Sequence, residues 1–409
     1  MKILFASARL PFPLDTGAKI RTFHLLSAAA AEHEVVLVAP ASTGERHAVT
    51  SLRERLPDVM FDIVDVPAPN RSIGSLALAA CRNVFDPLPL TWMRYQWPAL
   101  RRRLMEHGCS HACDLLHCDH VQIAPLALNT MIPCRVINVH NIESGLIQSV
   151  ARTMRRPEMR LAFAWQAAKV VRAERRIYPQ FDRAVTCSAI DGERLQALAP
   201  DTPVTVVPNG VDHRYFAPRA VPEEPATLVF TGSMDWAPNL DAVRYFVREI
   251  LPRVRSLWPQ LRFVVVGRNA PTDAVPSRTP GVKITGTVPD VRPLIASATA
   301  VVVPLRAGGG TRLKILEAWA MRKAVVSTSL GAEGLRVSDG NNILLADSPS
   351  DFAARIDRLL GDAALRARIA DGGYQTAQSR YDWSRIGERL LTAYDEAIAG
   401  TGSRTQSRS

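Results

Sequence analysis

Residues 301–323 carry the side chains whose types and spacing best suit chemistry. An apolar run ends at Pro304, and Gly308, Gly309 and Gly310 follow it. Glycines let a backbone approach an anion closely, and the free N–H groups that open a helix attract negative charge. The pattern therefore predicts an anion-binding loop between a strand and a helix that begins near Thr311. Its spacing differs from G-x4-G-K-[ST], the phosphate loop of nucleotide triphosphatases.

Three charged residues follow this loop. Arg312 and Lys314 place positive charge in the first helical turn, where cations oppose the helix dipole. A bound diphosphate would remove that conflict. Glu317 lies about 9 Å along the axis from Thr311, a suitable distance for a carboxylate that accepts ribose hydroxyls of the same nucleotide. The alternative interpretation is a glycine-rich loop with solvated charges.

His140 follows the apolar run 135–139. A histidine at the carboxyl end of a parallel strand faces the crevice in which open α/β sheets bind ligands. A neutral imidazole there can hydrogen-bond a substrate hydroxyl. The alternative is a structural histidine with satisfied hydrogen bonds. Gly17 closes an earlier loop before a helix, where it permits close approach of a phosphate or simply starts the helix.

Elements in the order strand, loop, helix, strand must position these residues. Residues 2–7, 18–31 and 35–39 follow that order, and the alternation predicts parallel strands in an open, doubly wound sheet. A second alternating series follows a proline-rich stretch. The predicted organisation is a Rossmann-like domain at 1–212, a linker at 213–225, a second Rossmann-like domain at 226–380, a final helix at 381–400 and a disordered tail at 401–409.

Length and composition agree with two soluble domains. The chain has 409 residues, of which 47% are hydrophobic and 22% charged, which excludes a fully disordered or collagen-like chain. No apolar run reaches the 18 residues that span a bilayer. Arg9, Pro11 and Pro13 interrupt the apolar start before a signal peptide can form, which predicts a cytoplasmic protein.

The net charge of +11 favours an anionic partner such as a nucleotide, a nucleic acid or an acidic membrane. The stretch 106–120 is also rich in cysteine and histidine. Its cysteines at 109, 113 and 118 are not spaced as the paired C-x2-C ligands of a zinc site. Reduced thiols are therefore expected rather than bound zinc.

Five stretches together resemble retaining glycosyltransferases of the GT-B fold, specifically family 4, of the kind that builds bacterial polysaccharides and glycans. They are the loop 9–17, VHNIES at 139–144, VVPNGVD at 206–212, VFTGSMDWAPN at 229–239 and GTRLKILEAWA at 310–320. The resemblance implies an α/β fold with two Rossmann-like domains facing a cleft. It also implies that the C-terminal helix returns to the N-terminal, acceptor-binding domain, while the C-terminal domain binds a nucleotide-sugar.

The resemblance implies a reaction as well. The family transfers a sugar, with retention of configuration, from a nucleotide-diphospho-sugar to a glycan or lipid-linked acceptor, without a catalytic metal or separate cofactor. His140 matches the active-site histidine, and Glu317 matches the ribose-binding glutamate. The residues expected at the donor diphosphate are Gly17, Gly232, Gly309, Gly310, Thr311, Arg312 and Lys314.

This chain departs from the family pattern in two places. The first of the family's two glutamates falls at Gly309, and Ser233 and Asn239 stand where basic residues are usual. Neutralisation of the diphosphate would then fall to Arg312 and Lys314, helped by Arg306. An inactive family member is one alternative. A nucleotide-sugar 2-epimerase of the same layout and a basic nucleic-acid-binding protein are others, although no RRM, helix-turn-helix or zinc-finger signature supports the last.

A basic stretch at 150–178 suggests a membrane contact. It carries eight Lys or Arg against two acids, with an apolar stripe at helical steps. The stripe consists of Leu161, Ala164, Trp165, Ala168 and Val171 or Arg172. Trp92, Tyr95 and Trp97 upstream suggest interfacial aromatics. We expect reversible, peripheral binding to anionic lipid at the inner face of the cytoplasmic membrane; the alternative is a basic helix that packs only on its own domain.

Overall fold

A computed structural model describes residues 1–67, 81–109, 113–154, 156–271, 275, 279–309 and 312–406. The chain divides into two compact units. Unit 1 comprises Met1–Pro208 together with Ser384–Ser409, and unit 2 comprises Asn209–Trp383. Each unit is built on one parallel β-sheet.

Seven parallel strands form the sheet of unit 1, in the order β3-β2-β1-β4-β5-β6-β7. Near-continuous apolar runs with both faces buried are typical of parallel sheets. Ile3 in the central strand pairs with Val35 on one side and Leu115 on the other. The strands are β1 (Lys2–Ser7), β2 (Glu34–Ala41), β3 (Val59–Asp65), β4 (Leu115–Asp119), β5 (Cys134–Val139), β6 (Arg183–Thr186) and β7 (Val204–Val206).

Helices surround this sheet. They are α1 (Gly17–Glu32), α2 (Arg46–Arg55), α3 (Leu90–Met93), α4 (Pro98–Cys109), α5 (Ala124–Ala127), α6 (Glu143–Thr153), α7 (Pro157–Ile177) and α8 (Ala189–Leu198). Ser188 caps α8, because its hydroxyl accepts a hydrogen bond from the Asp191 amide at 3.1 Å.

Unit 2 has six parallel strands in the order β10-β9-β8-β11-β12-β13. They are β8 (Thr227–Thr231), β9 (Arg262–Val266), β10 (Val282–Gly286), β11 (Ala300–Val303), β12 (Val325–Ser327) and β13 (Leu344–Leu345). The helices are α9 (Ala237–Tyr245), α10 (Leu251–Leu257), α11 (Arg292–Ser297), α12 (Leu313–Ala320), α13 (Pro349–Gly361) and α14 (Ala363–Arg380). A π-helical segment, Phe246–Ile250, joins α9 to α10, just before Pro252, whose missing N–H interrupts the helical ladder.

The last helix, α15 (Trp383–Gln406), groups with unit 1. Its Tyr394 hydroxyl lies 2.8 Å from Nδ1 of His117 in β4, and its Glu396 pairs with Arg183 of β6 at 2.9 Å. These long-range contacts fix the C-terminal helix on the first sheet.

The prediction of an α/β fold with two Rossmann-like sheets is confirmed. The boundaries differ in detail: the units divide at Pro208 and again at Trp383, so the stretch 213–225 belongs to unit 2. The final helix continues past residue 400 to Gln406, and Thr401 Oγ1 donates back to the Ala397 carbonyl at 2.9 Å. The rest of the expected disordered tail, 407–409, lies outside the described residues.

Candidate functional site

Each sheet has one topological switch point, where the chain stops adding strands on one side and begins to add them on the other. Polar residues lie at both switch points. In unit 1 the switch point lies between β1 and β4, and in unit 2 between β8 and β11. Open α/β sheets bind ligands beyond the carboxyl ends of the strands at such switch points. Asp119 ends β4, and Gly232 follows β8.

A buried carboxylate is the centre of the polar cluster in unit 1. Asp119 Oδ1 lies 2.8 Å from His140 Nε2 and 2.6 Å from Asn138 Nδ2. Its Oδ2 lies 2.9 Å from His120 Nδ1 and accepts from the Thr22 hydroxyl at 2.6 Å. One carboxylate therefore orients two imidazoles.

The rings of His120 and His140 stack, with centroids 3.9 Å apart and planes inclined by 14°. His120 has a φ of 97°, a region that non-glycine residues rarely adopt and that often marks functional sites. Burial, followed by the neighbouring His120, lowers the pKa of His140 to about 3. His140 is therefore neutral at pH 7. With its Nε2–H donated to Asp119, Nδ1 is the acceptor nitrogen.

The charge of Asp119 depends on these neighbours. Burial disfavours the ionised carboxylate, but His120 and His140 hold its pKa well below the usual range. Asp119, His120 and His140 offer ligand atoms within 4.8 Å of one another, so a metal ion is sterically conceivable. The carboxylate oxygens already accept hydrogen bonds from Asn138 and Thr22 as well as from the imidazoles. This favours a hydrogen-bonded histidine pair over a metal site.

Arg21 extends the cluster to the end of unit 1. It lies on α1 and is only 1% exposed. Its Nε and one terminal nitrogen donate to Asn138 Oδ1 at 3.1 and 2.8 Å. The other terminal nitrogen donates to the carbonyls of Val207 and Pro208 at 2.8 and 3.2 Å. Burial is tolerated because each of these donors has an acceptor.

A second buried carboxylate holds the segment after His140. Glu174 of α7 accepts from the Glu143 amide at 2.8 Å, and so caps the N-terminus of α6. Burial raises the pKa of Glu174 to about 7. Glu143 in turn accepts from the Trp92 indole at 2.5 Å. Trp92 is fully buried and Tyr95 nearly so. These two aromatics are therefore structural, and the expectation that they are interfacial is wrong.

In unit 2, Gly232 makes room for a lysine. Its φ is 152°, and a Cβ there would lie 2.7 Å from Asn239 Nδ2 and 2.9 Å from Lys314 Nζ. Lys314 Nζ donates to Asn239 Oδ1 at 2.9 Å and lies 3.9 Å from the Phe230 ring centroid. A cation from α12 thus lies beside the residue that follows β8.

Opposite charges lie one turn apart on α12. Burial, followed by repulsion from Arg312, lowers the pKa of Lys314 to about 7. Burial also raises the pKa of Glu317 to about 7, against the attraction of Lys314. Perturbed pairs of this kind are characteristic of binding and catalytic sites. Both side chains remain partly exposed, so a ligand can reach them.

The glycine loop leads directly into this helix. Gly308 has a φ of 118°, and the buried Arg312 side chain donates to the Gly309 carbonyl. The helix begins at Leu313, so Arg312 is its N-cap residue and not part of its first turn. Gly310 and Thr311, also expected at the diphosphate, lie outside the described residues.

Two other residues expected at the diphosphate or assisting there have different surroundings from those predicted. Arg306 pairs with Asp241 at 2.7 Å and stacks over Tyr245, so its charge is already compensated. Gly17 opens α1 at the surface of unit 1 and is not among the described glycines with positive φ.

Sequence reasoning assigned no role to Asp119 or His120, which belong to the polar cluster of unit 1. The signal was available: both come directly after the strand-like run LLHC at 115–118, as His140 comes after its own strand. Carboxyl ends of neighbouring parallel strands meet at one edge of a sheet. The nearby cysteines directed attention to zinc instead. All six cysteines are free thiols.

Family models match both units. The model described as Glycosyltransferase Family 4 matches residues 16–215, and that described as Glycosyl transferases group 1 matches residues 225–362. A D-inositol 3-phosphate glycosyltransferase from Stackebrandtia nassauensis is 29% identical over 250 residues, covering 55% of this chain and 56% of the relative. The lipopolysaccharide core biosynthesis glycosyltransferase LpsE from Rhizobium meliloti is 31% identical over 112 residues, covering 27% and 33%. The matches to the inositol-phosphate enzymes of S. nassauensis and Nocardioides sp. thus span little more than half of those relatives' length.

Solved structures share the whole fold at low identity. Sucrose-phosphate synthase from Thermosynechococcus elongatus aligns with a TM-score of 0.70 at 16% identity, over 98% of this chain and 99% of that one. HepE from Anabaena, solved with UDP-glucose, aligns at 0.65 and 15% over 97% and 100%. These likenesses establish the GT-B architecture of two Rossmann-like domains. Since the two family models together cover most of the chain, this protein belongs to the GT-B glycosyltransferases, with a family 4 domain followed by a group 1 domain.

Proposed function

We propose that the protein is a retaining, metal-independent hexosyltransferase. It moves a sugar from a nucleotide-diphospho-sugar to a glycan or lipid-linked acceptor in the synthesis of cell-surface polysaccharide or glycoconjugate. The observation that carries this proposal is the position of Lys314, whose ammonium lies beside Gly232 at the switch point of unit 2. A partly buried cation next to a backbone that lacks a Cβ suits a diphosphate.

The donor would bind to α12 and the loops around it. Lys314 and Arg312 would neutralise the diphosphate, with Gly309, Gly310 and Thr311 lining its approach. Glu317 would accept the ribose hydroxyls from one turn further along the helix. An anionic ligand would also relieve the repulsion between Arg312 and Lys314 that contributes to the low lysine pKa. HepE supports this donor class, since its solved complex contains UDP-glucose.

The chemical step would use the neutral imidazole of His140. Its acceptor nitrogen can hydrogen-bond a hydroxyl of the transferred sugar or of the acceptor, while Asp119 fixes its orientation. The bond from the anomeric carbon to the diphosphate breaks as the acceptor oxygen bonds to that carbon on the same face. The acceptor proton passes to a leaving phosphate oxygen. Lys314 and Arg312 would stabilise the charge that develops there.

The acceptor would bind to unit 1, with the membrane as its source if it is lipid-linked. None of the described helices is long and apolar enough to cross a bilayer. We propose a cytoplasmic protein that contacts the inner face of the membrane peripherally. Among the relatives, LpsE is named for lipopolysaccharide core biosynthesis, which supports a surface-glycan role.

A thermal-shift screen of nucleoside diphosphates and nucleotide-sugars tests the donor assignment. A ligand present at one hundred times its Kd should add about 2.7 kcal/mol to the free energy of unfolding. Glu317→Ala should weaken nucleotide affinity by about 1.5–3 kcal/mol, because it removes a charged hydrogen-bond acceptor. Glu249→Ala, at an exposed helical site, is the matched control. Stabilisation by none of the nucleotides, together with salt-dependent binding of random DNA, would favour a nucleic-acid-binding protein instead.

The reaction itself is tested with the donor that the screen identifies. Proton NMR of the product should show the anomeric configuration of the donor, and activity should persist in EDTA. An inverted product would exclude the retaining mechanism. Formation of a 2-epimer of the donor in the absence of acceptor would identify an epimerase.

A further inference from the structure

Helix α7 exposes an apolar stripe on its outer face. Its inner face packs into unit 1 through Ala167, Val170, Ala173 and Ile177. On the opposite side, Leu161 is 73% and Trp165 is 42% exposed. Ala164 and Ala168 are exposed between and beyond them. A helix that packs only on its own domain has no need of a second apolar face.

The segment before α3 adds two more exposed apolar side chains beside this stripe. Lys169 Nζ donates to the carbonyls of Asn83 and Asp86 at 2.5 and 2.6 Å. These bonds tie the segment to α7, and Val84 lines the same cavity as Trp165. Within the segment, Val84 is 56% and Phe85 is 91% exposed. We call Val84, Phe85, Leu161, Ala164, Trp165 and Ala168 the α7 patch.

A cavity of about 410 Å³ opens where the segment meets α7. Val84, Leu88 and Trp165 line it with apolar surface. Its charged lining consists of three cations, Lys169 and the exposed Arg172 and Arg176, and one acid, Asp86. Apolar walls next to two guanidinium groups suit a ligand that is a hydrocarbon at one end and an anion at the other.

The charge around the α7 patch has one predominant sign. Four arginines on α7 are exposed, at positions 160, 172, 175 and 176, whereas Glu158 is the exposed acid of this helix and Glu174 is buried. A second copy of the chain would bring the same cations face to face. A nucleic acid would match the charge but leave Phe85, Leu161 and Trp165 in water. An anionic bilayer satisfies both features.

We propose that the α7 patch binds the surface of an anionic phospholipid bilayer. Phe85, Leu161 and Trp165 enter the apolar boundary, and Arg172 and Arg176 contact lipid phosphates at the mouth of the cavity. The inference rests on the proposed function in one respect, since a transferase that uses a lipid-linked acceptor needs this surface. The proposal goes further in two respects: binding requires acidic lipid headgroups, and only the α7 patch inserts into the membrane.

Flotation with vesicles of phosphatidylglycerol and phosphatidylcholine, against pure phosphatidylcholine, tests the proposal. At low salt the full chain should float with the acidic vesicles and not with the neutral ones. The triple variant Phe85→Ser, Leu161→Ser, Trp165→Ser should bind the acidic vesicles at least about tenfold more weakly, since apolar burial and charge both contribute to interfacial binding. The control is Leu257→Ser, which alters a leucine 63% exposed on α10.

The charge requirement is tested in the same assay. Arg172→Glu with Arg176→Glu should abolish binding to acidic vesicles, whereas Arg248→Glu with Arg253→Glu, at exposed positions of unit 2, should not. Retention of wild-type binding by the apolar triple variant, or failure of the parent to float, overturns the proposal. So does a dimer, detected by sedimentation, that the triple variant dissociates.

Nucleotide thermal shift on the same samples separates the two conclusions. A parent that binds nucleotide but ignores acidic vesicles would refute the membrane surface and leave the transferase proposal standing. A parent that floats with acidic vesicles but binds no nucleotide would refute the transferase proposal and leave the membrane surface standing. Unchanged nucleotide-free Tm values in the variants would show that a loss of flotation is not a loss of fold.

Discussion

The two stacked histidines of unit 1 share a single carboxylate, and burial of the cluster determines the protonation of His140. Both imidazoles lie within hydrogen-bonding distance of Asp119, and burial keeps His140 neutral at physiological pH. A neutral ring can accept a hydrogen bond from a substrate without carrying charge into a site that must stabilise a leaving anion elsewhere. The cluster therefore suits orientation of a hydroxyl better than proton storage.

Replacement of His140 tests that role. His140→Ala should lower kcat by about 100-fold, the range seen when one positioned hydrogen-bonding group is removed from a transition state. Nucleotide Kd should change less than twofold, because His140 belongs to unit 1 and the proposed diphosphate contacts belong to unit 2. Steady-state kinetics and nucleotide titration measure the two quantities.

A matched histidine variant supplies the control for this prediction. His107 pairs with Asp62 on the surface of unit 1, 2.7 Å away. His107→Ala should retain the parent kcat. Turnover by His140→Ala within twofold of the parent would reduce His140 to a structural residue.

At the scale of elements, the junction between β8 and α12 depends on a missing side chain. Gly232→Ala would force a Cβ into Lys314 Nζ and Asn239, in a backbone conformation that alanine also resists. We expect nucleotide affinity to fall at least about tenfold, with a lower Tm. Gly340→Ala is the control, because Gly340 has a positive φ of 77° but open space around its Cβ position. Similar losses of affinity in both variants would mean that backbone strain alone is responsible.

A buried glutamate on α7 makes the start of α6 sensitive to pH. Burial raises the folded-state pKa of Glu174 from 4.5 to about 7. The folded state therefore holds this proton more tightly than the unfolded state. The stability linked to it is complete below pH 4.5 and is lost as pH rises through 7, by about 3 kcal/mol.

Glu174→Gln should remove that dependence while keeping a carbonyl acceptor for the Glu143 amide. Chemical unfolding at pH 5 and pH 8 measures it. The free energy of unfolding of the parent minus that of the variant should fall between pH 5 and pH 8. Other titrating groups contribute equally to both proteins, so this difference reports on Glu174. An identical change in both proteins would contradict the assignment.

At the scale of the whole molecule, the sequence was informative wherever apolar runs alternate with helical patterns. The strands predicted at 2–7 and 35–39 lie within one or two residues of β1 and β2, because buried parallel strands are continuous apolar runs. The fold class and the family follow from the same alternation and from the motifs it carries. What the sequence could not supply was the pairing of distant polar groups.

Arg21 and Trp92 show why. On α1, Arg21 looks like any surface cation, and its burial depends on acceptors 117 to 187 residues away along the chain. Trp92 resembles an interfacial aromatic until Glu143, 51 residues later, accepts its indole N–H. Neither partner is visible in a local pattern. The placement of residues 83–86 likewise depends on Lys169, more than 80 residues later in the chain.

The hydrogen bonds from Arg21 to the carbonyls of Val207 and Pro208 have a consequence for resistance to proteolysis. These carbonyls belong to the last residues before the chain passes into unit 2, where a connecting segment is a natural cleavage point. Arg21→Met should release them and speed tryptic cleavage after the exposed Arg214, whereas Lys19→Met, which loses only an ion pair with Asp15, should not. Mass spectrometry of timed digests would resolve the two fragments. One guanidinium on the first helix would then govern whether the protein survives as a single chain.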